Sequence, residues 1–189
     1  MGKRGLATVL SMAGLEAYME NMPPDNLAQQ FDFAYLAAIS QALEDMYGAR
    51  GGRGIALRVG RATFSKGLKD FGAFAGMATP TFQALPLEKR AQIGVNALAA
   101  VFTNFSDQTT ILQEEETVYT LLAESSPMAW GRTADRPVCH AITGIIQEGL
   151  RWASRGYEFN VQEIACRAAS NPNCIFRINK NPIGGAILG

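Results

Sequence analysis

Residues 137–179 read PVCHAITGIIQEGLRWASRGYEFNVQEIACRAASNPNCIFRIN and carry the strongest structural pattern of the chain. From 138 to 155 the apolar residues recur at helical spacing, and Gly156 follows as a favourable residue just past a helix end. Segments 157–164 and 174–179 are rich in β-branched and aromatic residues, which predicts two strands. The stretch therefore predicts a helix that packs against an antiparallel pair of strands.

Further helices and strands are predicted upstream of this stretch. Two segments are rich in Thr, Val, Ile and Tyr, which favours strands, and the apolar residues before them recur at helical spacing. The strands are predicted over 109–115 and 117–124, and the helices over 6–17, 32–46, 55–71 and 87–104. The predicted fold class is α+β, with N-terminal helices followed by a twisted, mostly antiparallel four-stranded sheet in the order β-β-α-β-β, packed on helices.

Two segments rich in glycine or proline separate the predicted helices. Residues 48–54 read GARGGRG, but no Gly-Lys-Ser/Thr follows and no strand precedes them, so we interpret them as a flexible turn rather than a phosphate loop. Residues 72–86 also predict a loop. We expect a helical extension over 1–50, a ligand-binding domain over 51–180 and a tail over 181–189.

Composition and charge exclude several classes of protein. Apolar residues make up 48% and charged residues 18%, which is typical of a folded chain. Lys plus Arg equals Asp plus Glu at 17 each, so no basic surplus attracts nucleic acid, and the basic residues between 50 and 69 are interpreted as a solvated helix face. No apolar run is long enough to span a membrane. Three cysteines, an odd number, favour reduced thiols and a cytoplasmic protein.

Four residues supply the donor types of a metal site: Cys139, Glu163, Cys166 and Cys174. Strand alternation places Glu163 and Cys174 in phase with the apolar side chains of their strands. A carboxylate in that position is costly unless it is paired or bound to a metal. Cys139 begins the predicted helix, where free amides favour a thiolate. Three thiolates and a carboxylate suit tetrahedral Zn²⁺, and a site whose four positions are all filled by protein is structural.

Simpler explanations of these residues stay open at this point. Cysteine is often a small buried hydrophobe, so the three can belong to an ordinary core. Glu163 can pair with an arginine such as Arg177, and the Cys-x-x-Cys signature of common zinc sites is absent. His140 lies on the polar side of its helix, where we expect it to face solvent or to lie beside the ligands. It and Arg167 are candidates to offset the negative charge of the site.

The last third of the chain resembles the 4-vinyl-reductase (V4R), or hydrocarbon-binding, domain family. The resemblance implies a structural zinc held by three Cys and one Glu, with the motif spanning 139–174. It also implies a fold like that of the TRAPP vesicle-tethering subunits, often dimeric, around an apolar cavity for phenols, other hydrocarbons or acyl chains. The matching runs are Pro137-Val-Cys-His-Ala-Ile-Thr-Gly144, Val161-Gln-Glu-Ile-Ala-Cys166 and Asn173-Cys-Ile-Phe176.

We expect a homodimer that binds a hydrophobic or aromatic small molecule as a sensor or carrier. The predicted lining residues, of which Trp130 fits an ordinary core least well, are Trp130, Tyr119, Phe102, Ile142 and Ile146. One alternative is an accessory protein or vinyl-reductase-type enzyme of tetrapyrrole (bacteriochlorophyll) biosynthesis. Another is a dimeric interaction scaffold resembling the vesicle-tethering subunits. A single His and the absence of a dinucleotide fingerprint make the enzyme the less favoured interpretation.

Overall fold

The helices and strands follow one another in the predicted order. The computed structural model describes residues 2–26, 28–71 and 75–184. Its α-helices are α1 (Lys3–Met12), α2 (Phe33–Phe71), α3 (Pro80–Gln83), α4 (Leu87–Phe105) and α5 (His140–Ala153). Its strands are β1 (Thr110–Glu114), β2 (Val118–Ala123), β3 (Phe159–Ala165) and β4 (Cys174–Pro182). Short 3₁₀ segments occur at Glu16–Met19, Ala75–Ala78 and Arg167–Ala169.

The four strands form one antiparallel sheet in the order β1-β2-β4-β3. The central strand β4 pairs with β2, so that Cys174 lies opposite Ala123 and Phe176 opposite Leu121. On its other side β4 pairs with β3, whose register shifts twice along its length. Helices pack against this sheet, and the α+β fold class expected from the sequence is confirmed.

The main core is formed by α4, α5 and apolar side chains of the sheet. Leu98 from α4, Ile146 and Leu150 from α5, and Tyr119 and Phe176 from the sheet are almost completely buried. Full burial of one such side chain is worth ~1.5–3 kcal/mol. The core therefore fixes the position of α5 and, with it, the residue that precedes the helix.

The helices α2 and α5 approach each other closely at two glycines. A Cβ atom on Gly144 would overlap the carbonyl oxygen of Leu57, and one on Gly60 would overlap the carbonyl oxygen of Ala141. Glycine at these two positions therefore permits the close packing of α2 on α5.

The structure corrects two of the predicted breaks. The predicted break of the helix is found at Gly48, whose φ of 69° and ψ of 166° divide α2 into two helical segments at a kink, but residues 49–54 are helical and not a flexible turn. Within the predicted loop 72–86, residues 75–78 form a 3₁₀ segment and 80–83 form α3, which begins where the Thr79 side chain accepts a hydrogen bond from the Phe82 amide. The first part of that loop, 72–74, lies outside the described residues.

Candidate metal centre

The four predicted ligands lie at the ends of three elements that meet beside the core. Cys139 immediately precedes α5, Cys166 immediately follows β3, and Cys174 is the first residue of β4. Along β4 the buried positions alternate through Cys174, Phe176 and Ile178, as strand phase predicted. Glu163, in β3, is half-buried at the end of the series begun by the buried Phe159 and Val161. The sequence therefore brings four donors from distant positions to one point.

The three sulfur atoms form a nearly equilateral triangle. Cys139 Sγ lies 3.6 Å from Cys174 Sγ and 3.8 Å from Cys166 Sγ, and the latter two are 3.8 Å apart. With a carboxylate oxygen of Glu163, all four donor atoms lie within 4.8 Å of one another. The cysteines are free and fully buried. A disulfide needs ~2.05 Å between sulfurs, whereas the edge of a tetrahedron with Zn–S bonds of ~2.3 Å is about 3.8 Å. The cluster can hold a metal ion without moving its sulfurs.

Glu163 uses only one of its two carboxylate oxygens in the protein. Its Oε2 accepts a hydrogen bond of 2.7 Å from the Cys139 amide, whereas Oε1 is buried and has no partner among the described residues. The alternative pairing with Arg177 is not found, since no ion pair joins the two residues. Native proteins rarely leave a buried polar atom without a partner. A cation among the sulfurs would supply one to Oε1.

Without a metal the four groups strongly shift one another's ionisation. Hydrogen bonds with Cys166 and Cys174, followed by burial, raise the pKa of Cys139 well above its usual value. Hydrogen bonds from Cys139 and Cys166 lower the pKa of Cys174 to about 4. Burial and the negative charge of Cys166 raise the pKa of Glu163 to about 8. The cluster thus crowds acidic groups together, which is unfavourable until a cation is present.

Neutral hydrogen-bond donors surround the sulfurs. The backbone amide of Arg167 donates to Cys174 Sγ over 3.4 Å, and Ser126 Oγ is hydrogen-bonded to Cys139 Sγ at 3.1 Å. The guanidinium of Arg167 points elsewhere and donates to the carbonyl of Glu124. His140 is half-buried, and burial together with the charge of Arg53 lowers its pKa. Backbone amides, rather than the side chain of Arg167, offset the charge of the sulfurs.

The five predicted ligand-binding residues do not line one common cavity among the described residues. Tyr119, Ile142 and Ile146 are buried in the main core, and Phe102 packs against its edge. Trp130 is different, because half of its surface is exposed. It lines a cavity of about 690 Å³ between the segment before α2 and the residues that follow α4.

Sequence reasoning missed two aromatic residues of the Trp130 cavity. Phe33 meets Trp130 edge-on, with ring centroids 5.9 Å apart, and Phe31 lines the same cavity. They flank Asp32, whose carboxylate accepts a hydrogen bond from the Ala34 amide at the start of α2. The sequence did contain a signal for this site. Phe31 and Phe33 flank the helix cap Asp32 and do not belong to the apolar stripe of α2.

No helix among the described residues is long and apolar enough to cross a membrane. No protein-family model matches the chain, and no curated protein matches it in sequence.

Several solved structures share the fold. The phenol-responsive sensory domain of the transcription activator PoxR, solved with phenol, is 20% identical over 80% of this chain and 76% of its own, with a TM-score of 0.51. An H-NOX protein from S. oneidensis in the Fe(II)NO ligation state is 12% identical over 97% of this chain and 100% of its own, with a TM-score of 0.52. A trafficking protein particle complex subunit 3 from Naegleria fowleri, covalently bound to palmitic acid, is 13% identical over 97% of this chain and 96% of its own, with a TM-score of 0.49. At these identities, the similarity to the PoxR domain and to the H-NOX protein establishes a shared fold and nothing further.

Proposed function

We propose that this chain binds a hydrophobic or aromatic small molecule, as a sensor or carrier of the V4R type, and that one structural zinc ion stabilises it. The observation that carries the proposal is the aromatic cavity at Trp130. A hydrogen bond between Ser126 and Cys139 Sγ connects the segment that contains Trp130 to the cysteine cluster. The shared fold with a phenol-responsive sensory domain agrees with this function.

The donor set favours zinc among the common metal ions. Three thiolates exclude Mg²⁺ and Ca²⁺, which prefer oxygen ligands. Three sulfurs at tetrahedral spacing, with a carboxylate oxygen within 4.8 Å of them, fit a closed zinc site, which leaves no position for a reactive water. The chemistry that the ion supplies when bound is therefore structural, and Cys139, Glu163, Cys166 and Cys174 hold it.

The Trp130 cavity has the character of a site for a small aromatic molecule. Its volume of about 690 Å³ lies within the range of sites for small molecules. Phe33, Phe105 and Trp130 offer aromatic faces and edges, which favour stacked or edge-on contacts with a ring. Ser106 and Asp107 add polar groups that can orient a hydroxyl.

Hydrogen bonds connect the cysteine cluster and its neighbours to the segment that carries Trp130. At one end of this segment, residues 124–139, Arg167 donates to the carbonyl of Glu124. The Ala134 amide donates a hydrogen bond of 2.8 Å to the carbonyl of Ala168. Near the start of the segment, the Ser126 hydroxyl is hydrogen-bonded to Cys139 Sγ. Metal at the cluster would fix residues 166–168 and, through them, the position of Trp130.

Binding is tested with purified protein, 1-naphthol as the probe and isothermal titration calorimetry. We expect Trp130→Ala to weaken naphthol binding by at least about fivefold, because an aromatic anchor contributes at least ~1 kcal/mol. Trp152→Phe serves as the matched control, since Trp152 packs against Phe64 and does not line the cavity. Equal loss in both variants, or no naphthol binding by the wild type, would refute the proposed ligand site.

The zinc is tested separately by elemental analysis of the same preparations. We expect about one zinc per chain, and a large loss of both zinc and melting temperature in Cys174→Ser. A wild-type protein that is stable and free of metal would contradict the proposed zinc site.

A further inference from the structure

A second cavity, of about 530 Å³, lies on another side of the metal centre. It is formed by the middle of α2, the start of α5 and strand β3, and it shares no lining residue with the Trp130 cavity. Three arginines line it: Arg50 and Arg53 from α2, and Arg136 from the segment before α5. The sequence pattern placed Arg50 and Arg53 on a solvated helix face, and in the structure both are exposed on α2 and also border this cavity.

Two of these guanidinium groups are not engaged by the protein. Arg50 and Arg53 form no hydrogen bond or ion pair with any of the described residues. Arg136 pairs with Asp135 at 3.3 Å, but their side chains are 51% and 85% exposed. An exposed pair of this kind is worth at most ~1 kcal/mol and can exchange for another anion.

The acidic groups near this cavity are already bound to other partners. Glu163 lines it, but its carboxylate accepts the Cys139 amide and belongs to the cysteine cluster. Glu44, whose charge acts on His140, is held by Arg132 at 2.9 Å and is largely buried in that pair. The side chains of Arg50 and Arg53 therefore have no acidic partner among the described residues.

The remaining wall of the cavity is partly apolar and partly polar, with His140, Thr143 and Gln162 among its polar residues. Leu57, Pro137 and Val161 line it beside the arginines. Guanidinium groups match the oxygens of carboxylate and phosphate groups through paired hydrogen bonds. A site that combines such groups with an apolar wall suits an anion with an organic body better than a free inorganic ion.

We infer that this cavity binds a small organic anion, with its carboxylate or phosphate group held by Arg50 and Arg53 and its apolar part against Leu57 and Val161. The site is independent of the molecule that occupies the Trp130 cavity, because the two cavities share no residue. The chain would then hold two different ligands on two sides of one metal centre.

Calorimetric titration of the full chain with hexanoate, hexyl phosphate, inorganic phosphate and the neutral hexanamide tests the inference. We expect hexanoate or hexyl phosphate to bind at least tenfold more tightly than hexanamide and than inorganic phosphate. The stronger of the two identifies the acid group. Arg53→Gln should weaken that binding about tenfold, as expected for a lost charge-assisted hydrogen bond. Arg58→Gln is the matched control, because Arg58 is exposed on the same helix and lines neither cavity.

Four results would overturn the inference: no binding of either organic anion, equal affinity for hexanamide, equal affinity for inorganic phosphate, or equal loss in the Arg53 and Arg58 variants. If Arg53 serves only as a counter-charge to the metal centre, Arg53→Gln will lower the zinc content and leave anion affinity unchanged, which also refutes the site. Trp130→Ala should retain hexanoate binding, so failure of the aromatic site and failure of the anion site give different results.

Discussion

Glu163 shows at the scale of one residue why the cluster calls for a cation. Its Oε2 is satisfied by the Cys139 amide, but its buried Oε1 has no partner among the described residues. An unsatisfied buried group costs ~1–3 kcal/mol, and more when it is charged. Burial accordingly raises the pKa of this carboxyl to about 8, so the metal-free protein keeps a proton there at neutral pH. A metal ion would replace that proton.

Replacing Glu163 by Gln tests this role, because the amide keeps the size of the side chain but loses its charge and most of its affinity for metal. We expect zinc affinity to fall at least tenfold in Glu163→Gln, measured by competition with a chromogenic chelator. Glu116→Gln is the control, since Glu116 is exposed in the turn between β1 and β2. Unchanged zinc affinity in Glu163→Gln would remove Glu163 from the ligand set.

The pKa values of the cluster also predict how zinc binding depends on pH. Cys139 and Glu163 both have raised pKa values in the metal-free protein, and both must lose a proton to bind a metal. Between about pH 6 and 8 the logarithm of zinc affinity should therefore rise by ~2 per pH unit. Chelator competition across this range, corrected for the chelator's own protonation, measures the slope. A slope of zero would show that these groups do not ligate.

The same pKa values predict how Glu163 affects the stability of the metal-free protein. A raised folded-state pKa means that the folded chain keeps a proton on Glu163 that the unfolded chain has already released above its ordinary value of 4.5, so this residue lowers the free energy of unfolding as the pH rises from about 4.5 to 8. Cys174, whose pKa is lowered to about 4, has the opposite effect over this range, because the unfolded chain keeps its proton there. The two contributions oppose each other in the wild type, and Glu163→Gln removes only the first. Urea unfolding of both chelator-treated proteins at several pH values should therefore show a steeper rise of stability with pH in Glu163→Gln than in the wild type, and equal slopes would contradict the raised pKa of Glu163.

At the scale of elements, α2 and α5 are held in contact by small residues. Gly144→Ala places a methyl group against the Leu57 carbonyl, so the helices must separate. We expect a loss of about 2–3 kcal/mol in the free energy of unfolding, because neither backbone can yield locally. Gly67→Ala is the matched control on α2, since nothing lies within 4 Å of its added Cβ, and it should gain up to ~1 kcal/mol from helix propensity. Thermal melts in which both variants shift alike would contradict the close packing.

The elements also show how far the sequence determines the fold. Period and composition were enough for α5 and for the four strands, because α5, β2, β3 and β4 bury one face against the same core and Leu112 of β1 packs against its edge. At 48–54, where four glycines and two arginines suggested a turn, the break is confined to Gly48 and residues 49–54 are helical. Each glycine weakens a helix by ~1 kcal/mol locally, and tertiary packing of the rest of α2, on α1 and on α5, outweighs that local cost.

Only some of the candidate sites could be found from the sequence. The clustering of the three cysteines with Glu163 was predictable, because each has the chemical type of a metal ligand and strand phase sets the direction of two of them. The cavities were not, since they depend on how distant segments meet. Phe33 and Trp130 are almost a hundred positions apart in the sequence. Arg53 and Arg136 line the same cavity because α2 packs beside α5.

At the scale of the whole molecule, the cluster joins the segment that carries Trp130 to the connection between β3 and β4. Cys139 ends the segment that carries Trp130, and Cys166 and Cys174 close the connection between β3 and β4. By contrast, α1 packs on the first part of α2 through a separate small core of Val9, Ala42 and Leu43. The two regions need not respond together to the loss of metal.

Hydrogen exchange before and after chelation tests this division. Removal of the metal leaves Glu163 Oε1 without a partner and crowds the three sulfurs, so we expect exchange to quicken in 124–139 and 163–176. Amides of 3–12 should keep their protection, because α1 packs on α2 through a small core that contains no metal ligand. Restoring zinc should restore protection, since metal binding and local folding are coupled. Uniformly faster exchange along the chain would instead show that the metal stabilises the entire fold as one unit. Unchanged exchange would show that the metal stabilises neither segment.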